Sequence, residues 1–372
     1  MYRTVELEFA NMGNRKDEHV DLALAQRAGI TRNDFDDVRF VHHALGGVDR
    51  ASVSTAVQVA GATWPVAFYL NGMTGGSERT GVINRDLAVA ARETGIAMAA
   101  GSLSAFLKDA STAPSFRVIR DENPGGFVMA NVNATVSADD AQRAVDLLEA
   151  DALQIHINSV QETVMPEGDR DFAAWPAAIE AIVQRVGVPV IVKEVGFGLS
   201  ASTLARLAEL GVQFADVSGR GGTDFAKIEN SRRHLGDYAP LVGWGQSTPE
   251  ALIEADASTA ALPVLLASGG VRTSLDVLRA LALGARAVGV SGHFLEVLVE
   301  HGVEALVEHI RSWQEQLAAL QTMLGATTTE ALTQQELILH GALLEFCASR
   351  GIDPAAVSRS RGRGTLPSKG QR

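Results

Sequence analysis

Pro263-Val264-Leu265-Leu266-Ala267-Ser268-Gly269-Gly270, then Ser274–Leu283, then Ala287-Val288-Gly289-Val290-Ser291-Gly292, carries the fold of this chain in miniature. A short apolar run ends in glycine, a segment with helical spacing follows, and a second short apolar run ends in glycine again. Runs of this length bounded by glycine read as buried strands, and the longer periodic segment reads as a helix. Working outward, the same unit recurs. Pro65–Thr74, Ile96–Ala100, Phe127–Asn133, Ala152–Asn158, Pro189–Val195 and Phe214–Ser218 are further strand candidates, which makes eight in all. Helical patterns over Ile83–Glu93, Ala138–Ala150, Phe172–Val186 and Ser202–Leu210 lie between them. Repeated βα units imply a parallel sheet, and eight of them imply an α/β fold of the (β/α)8 TIM-barrel kind. An open doubly wound sheet is the structural rival. Phe225–Thr259 reads as a long insertion between strands six and seven.

The barrel is expected over residues 61–295, behind an N-terminal segment 1–60. A helical C-terminal extension over 296–356 and a basic tail, 357–372, expected to be disordered, follow it. The whole chain has 372 residues, 46% hydrophobic and 20% charged, enough for a large core. Its net charge of −12 argues against nucleic acid or an anionic membrane as partner. No apolar run approaches the roughly 18 residues of a membrane span. Met1–Ala10 lacks the basic-then-apolar pattern of a secretory signal. The single cysteine, Cys347, leaves no internal disulfide and no thiolate cluster for zinc. A soluble cytoplasmic protein is the expectation.

Barrel chemistry sits at the C-terminal ends of the strands. Those ends and their loops supply Thr74, Ser102, Asn131, His156, Asn158, Gln161, Glu162, Lys193, Ser218, Thr223, Ser268 and Ser291. The fourth strand is the most informative. Gln154, His156 and Asn158 alternate along it and so face one side. Polar groups buried unpaired cost roughly 1–3 kcal/mol each, so three on one strand face mark a site. The loop after it holds Gln161, Glu162 and Gly168. Glycines at 269, 270 and 292 suit a phosphate held by backbone N–H groups after strands seven and eight. Lys193 ends an apolar strand and has three readings: a Schiff-base nucleophile, an ammonium beside a flavin ring, or an ion pair with Glu194 or Glu162. Arg15, Lys16 and His19 are either a solvated helix face or an anion clamp. Glu162 is a candidate Mg²⁺ ligand. His42 and His43 have no partner at metal spacing and read as structural.

Read in order, Arg15–His19, Asn71–Gly76, Ala130–Asn131, Gln154–Asn158 with Gln161–Glu162, Val192–Gly196, Ser218–Thr223 and Ala267–Arg272 resemble the type 2 isopentenyl-diphosphate isomerases. The resemblance implies an FMN-dependent barrel enzyme of isoprenoid biosynthesis. Such enzymes interconvert isopentenyl and dimethylallyl diphosphate with reduced FMN, Mg²⁺ and NADPH as reductant, and without net electron transfer. It further implies that FMN is held by Thr74, Gly75, Ser102, Asn131, Lys193 and Ser218, and by Thr223, Gly269, Gly270, Arg272, Ser291 and Gly292. Arg15, Lys16, His19, His156 and Asn158 would hold the diphosphate. Gln161 would lie by the allylic carbons, with His156 and Lys193 completing the catalytic set, and Glu162 would bind Mg²⁺. A homotetramer or homo-octamer is implied too.

Three departures stand out. Leu103–Ser104 replaces the commoner Gln-Arg, whose arginine helps with diphosphate. Thr223–Asp224–Phe225 replaces Thr-Ser-Trp. Ser291–Gly292–His293–Phe294 replaces Ala-Arg-Pro-Phe/Leu, which leaves phosphate contacts there mostly to backbone. The rivals are an FMN barrel oxidoreductase of the hydroxy-acid oxidase type and a non-catalytic barrel scaffold. Against the first, His293 is the only histidine by strand eight and Arg272 is better placed for phosphate.

Overall fold

The computed structural model describes residues 16–27, 32–233 and 236–359. Its centre is a closed barrel of eight parallel strands. They are β1 Phe68–Leu70, β2 Met98–Ala99, β3 Val128–Asn133, β4 Ala152–His156, β5 Val190–Lys193, β6 Phe214–Asp216, β7 Val264–Ser268 and β8 Val288–Val290. Neighbours follow chain order, and β8 closes onto β1 through Val288↔Phe68 and Val290↔Leu70. Each strand falls inside the apolar run that predicts it, so the closed barrel, not the open sheet, is the fold.

After five of the strands, β1, β3, β5, β6 and β7, a capped helix follows the loop. Ser77, Ser137, Ser200, Ser247 and Thr273 each accept a backbone N–H of the helix that they start. Such a cap is worth about 1 kcal/mol. Within β4, Leu153 and Ile155 are fully buried in the main hydrophobic core. Burying each contributes about 1.5–3 kcal/mol. The alternation that sends them there sends Gln154 and His156 the other way.

Several sequence expectations need correction. Phe225–Thr259 is not simply an insertion. It holds a short helix, Phe225–Ser231, and then Thr248–Asp256, the barrel's own helix after β6, buried at every position but its last residue. Its Ser247–Glu250 capping box sits in a stretch whose apolar period is too short to stand out. Residue 60 is no boundary. Ala60 and Gly61, with φ of 49° and 80°, form the turn of an antiparallel hairpin, Val57–Val59 with Ala62–Trp64. Positive φ at both turn residues matches the twist of a tight hairpin. The boundary at 295 falls inside a helix that starts at Gly292; a non-helical Gly302, with φ of 84°, divides Gly292–Leu324 into two helical pieces. The tail does not begin at 357: Pro354–Arg359 is helical, with Val357 buried. Residues 360–372 lie outside the described residues.

Two segments far apart in sequence meet. Val38–Phe40 pairs antiparallel with Leu337–Leu339. Among the described residues no helix is long and apolar enough to cross a membrane.

Candidate active site

A cavity of about 600 Å³ opens at the C-terminal ends of the strands. Ligand pockets commonly measure about 300–1,000 Å³. Strand register decides which side chains reach it together. Asn131 is level with Gln154, Asn133 with His156, His156 with Lys193, and Lys193 with Asp216.

The floor is a polar lattice. Gln154 Nε2 donates to Asn71 Oδ1 at 3.2 Å, and its Oε1 accepts from Asn131 Nδ2 at 3.2 Å. Asn131 Oδ1 faces His156 Nδ1 at 2.8 Å. An amide oxygen only accepts, so that nitrogen carries the hydrogen. Burial, then the charges of Lys193 and Lys16, holds the imidazole near 3, neutral at physiological pH. Asp216 is fully buried and ties the lattice off. It accepts from Ser268 Oγ at 2.8 Å, Tyr69 hydroxyl at 3.2 Å, Asn71 Nδ2 at 3.3 Å and the Ser218 N–H at 3.1 Å. That last bond holds Ser218 at φ 36°, in the left-handed region. Lys193 Nζ donates to the Glu194 main-chain carbonyl at 2.7 Å, not to a carboxylate. Burial lowers its pKa, against the pull of Asp216 and Glu194. The Glu194 carboxylate instead collects the N–H groups of Val195, Gly196 and Phe197, shaping the loop after β5.

The roof has a different construction. Helix α1, residues 16–27, turns Lys16, His19, Val20, Ala23 and Arg27 into the cavity. That spacing is one helix face. Its opposite flank is tied down. Asp17 accepts from Ser77 Oγ at 2.7 Å, and Asp21 takes both arms of Arg79, at 2.6 and 3.0 Å. Gln26 exchanges two bonds with the Asp224 backbone, at 2.9 and 3.1 Å.

Gln161 and Glu162 sit on a short helix, α2 (Ser159–Val164), where the sequence reads as loop. The Glu162 N–H donates to Asn158 O at 2.9 Å, closing its first turn. Asn158 Nδ2 donates to Gln161 Oε1 at 3.2 Å and to Glu162 Oε1 at 3.0 Å. Gln161 Nε2 donates to Glu229 Oε1 at 2.9 Å. Glu229, on α3 (Phe225–Ser231), also meets His19 Nε2 at 3.1 Å and Arg232 at 2.5 Å. Burial pushes this carboxyl up, but His19, Gln161 and Arg232 together hold it near 2.

Lys16, His19, Thr74, Ser102, Asn131 and His156 therefore line one cavity, with Asn158, Gln161, Glu162 and Lys193. Ser218, Thr223, Gly269, Gly270, Ser291 and Gly292 line it too. Gly75 does not; a Cβ there would lie 2.1 Å from Phe116, which makes it a packing glycine. Arg272 does not either. It pairs with Asp36 at 2.7 Å and Asp276 at 3.0 Å, which hold its guanidinium away from the cavity. Arg15 lies outside the described residues. Leu103 is fully buried, while Ser104 lines the cavity beside Ser102.

Asn71, Asp216, Glu229, Arg27 and Lys108 join or support the site unannounced. Asp216 carried a readable signal, a carboxylate within an apolar strand. Glu229 carried none, because it sits in the stretch taken as an insertion.

Residues 120–339, more than half of the chain, match the FMN-dependent dehydrogenase family. Among solved structures, a mandelate oxidase superposes with a TM-score of 0.62 at 20% identity, covering 86% of this chain and 92% of that one. Flavocytochrome b2 superposes at 0.61 with 17% identity, covering 96% of this chain and 86% of that one. At such identity the likeness concerns fold alone, a (β/α)8 barrel; with the family match it defines the class, an FMN-type barrel. The isopentenyl-diphosphate delta-isomerase of Streptomyces sp. (strain CL190) is 64% identical over 346 residues, 93% of this chain and 94% of that protein. The Staphylococcus epidermidis protein of the same name (strain ATCC 12228) is 46% identical over 338 residues, 91% and 96% of the two chains. The chain belongs to the isopentenyl-diphosphate delta-isomerase family.

The cavity fits FMN. Thr74 Oγ1 is buried on its floor with no hydrogen-bond partner among the described residues. The loops after β6 and β7 approach so closely that a Cβ on Gly222 would lie 2.9 Å from the Gly270 nitrogen. Bare backbone of this kind is what a phosphate needs for close approach.

Proposed function

We propose that this protein interconverts isopentenyl and dimethylallyl diphosphate in isoprenoid biosynthesis. FMN would be kept reduced by NADPH, Mg²⁺ would bind with the substrate, and no electrons would be transferred on balance. The observation that carries this reading is one cavity lined by the groups suited to each task. Lys16 and His19 are on the roof, Gln161 and Glu162 on α2, and Lys193 and the unsatisfied Thr74 hydroxyl on the floor.

The chemical difficulty is protonating an unactivated alkene, which builds positive charge at a tertiary carbon beyond the reach of ordinary side-chain acids at neutral pH. Reduced FMN supplies an electron-rich ring and a proton-bearing nitrogen when bound. The protein's residues do the rest. Lys16, His19, His156 and Asn158 hold the diphosphate, together with Arg15 just outside the described residues. Anchoring at this remote end orients a small apolar substrate that offers little binding energy of its own. Glu162 accepts from Asn158 and from the Asp169 N–H at 2.8 Å, and each carboxylate oxygen keeps a lone pair. A single carboxylate completed by water and substrate phosphate is the usual setting for Mg²⁺. Gln161 is held at both ends of its amide, by Asn158 and Glu229, and so presents a fixed face to the allylic carbons. Lys193 Nζ favours an anionic ring system beside it. The homotetramer or homo-octamer belongs to the same reading, and exposed Val242 and Trp244 offer apolar surface for it.

The test is turnover of isopentenyl diphosphate by the purified protein with FMN, Mg²⁺ and NADPH, against mixtures lacking the reductant or containing a chelator. Product should need all three, while NADPH consumed stays far below product formed. Stoichiometric NADPH consumption, or equal turnover by flavin-free protein, would sink the reading.

A further inference from the structure

Position 292, at the phosphate end of the cavity, is glycine where the resemblance leads one to expect arginine. The space its side chain would fill is not empty. A Cβ built on Gly292 would lie 3.2 Å from Arg27 Cδ, 3.5 Å from Arg27 Nη1 and 3.8 Å from Thr223 Oγ1. The side chain of Arg27, from the far end of α1, therefore packs against the position where a residue-292 side chain would start. We propose that Arg27 is a ligand of the FMN phosphate, supplied by the roof helix in place of a side chain at 292. The inference rests on the flavin reading above.

The surroundings fix the arginine for this use. Its Nε donates to Glu296 Oε2 at 2.9 Å, and Nη2 reaches His293 Nδ1 at 3.1 Å. Burial, then the charge of Arg27, holds His293 near 4, so its imidazole is neutral and Nδ1 accepts. The hydrogen then sits on Nε2, which donates to His309 Nε2 at 2.8 Å. The His293 ring stacks on Trp313 with centroids 5.2 Å apart and planes 14° apart. Gln26, next in sequence, is bonded twice to the Asp224 backbone, which pins the end of α1 beside Thr223. Two sides of the guanidinium are thus engaged. Nη1, with two N–H donors, is the side turned to Gly292 and the cavity. Arginine N–H groups on phosphate make strong charge-assisted bonds. A residue larger than glycine at 292 would press on this arm, the nearest atom, Arg27 Cδ, lying 3.2 Å from the Cβ position.

Flavin titrations of the full-length protein test it, comparing FMN with riboflavin, which lacks the phosphate. Arg27→Met should weaken FMN binding at least ten-fold and leave riboflavin binding unchanged, and Arg27→Lys should keep part of the difference. Restored FMN affinity in Arg27→Ala/Gly292→Arg would show that the two positions share one task. Equal losses for both flavins would mean that Arg27 only props the roof, and no loss for FMN would remove it from the phosphate; either result overturns the proposal. Wild-type protein that binds no FMN would instead overturn the cofactor reading itself, an outcome visible before any variant is made.

Discussion

The floor and the roof of the cavity do one job by opposite means. Floor residues stand on barrel strands and bond to one another through neutral amides, hydroxyls and one buried carboxylate, Asp216. Roof and clamp residues stand on short helices and are held by charge: Asp21 with Arg79, Glu229 with His19 and Arg232. A lattice on strands has one arrangement, set by register. Of these ties the Asp21–Arg79 pair is exposed and gives way at modest cost, while the buried Glu229 carries the greater share. The difference implies a rigid cofactor seat beneath a substrate clamp that can open.

The sharpest way to break this contrast is Asp216→Ala. It would leave Tyr69, Asn71 and Ser268 donors buried without their acceptor, a loss of about 3–5 kcal/mol. Urea unfolding that finds less than about 1 kcal/mol would show that the floor is not the rigid member.

Glu229→Gln comes next. Its carboxyl is held near 2, well below the 4.5 of an ordinary glutamate. A depressed carboxyl stabilises the fold fully above the unfolded value, and that contribution disappears as pH falls through the folded one. The variant should be about 2–3 kcal/mol less stable at neutral pH. The gap to wild type should close as pH drops from 4.5 toward 2. A gap that does not change over that range would mean the carboxylate's charge is not what holds the clamp.

Asp21→Asn should matter least. Both partners are substantially exposed, 60% for Asp21 and 43% for Arg79, so the change should cost below about 1 kcal/mol and vanish at high salt. A larger, salt-insensitive loss in thermal unfolding would put the roof on the same footing as the floor.

Legibility in the sequence follows the same division. Strand side chains alternate, so Gln154, His156 and Asn158 announce themselves within one short stretch, and the glycine-ended runs give the barrel. Ion pairs between distant segments leave no such trace. Nothing near Glu229 points to Gln161, which lies 68 residues away. Arg272 shows the converse. Its place after β7 invites a phosphate, but Asp36, 236 residues earlier, claims it in the folded chain. The six residues of α2 are too few to show a helical period, so the sequence there reads as loop.

The pairing of Val38–Phe40 with Leu337–Leu339 has a consequence in time. The segment leading out of the roof finds its strand partner about 300 residues later, and Asp37 bonds only then to the N–H groups of His340 and Ala342. At about 5–20 residues per second, a ribosome needs about 15–60 s to cover that interval. All eight barrel strands have been synthesised before Leu337 emerges. The strands of the seat are thus all made while Val38–Phe40 still waits for its partner, so a segment made early is locked in place late.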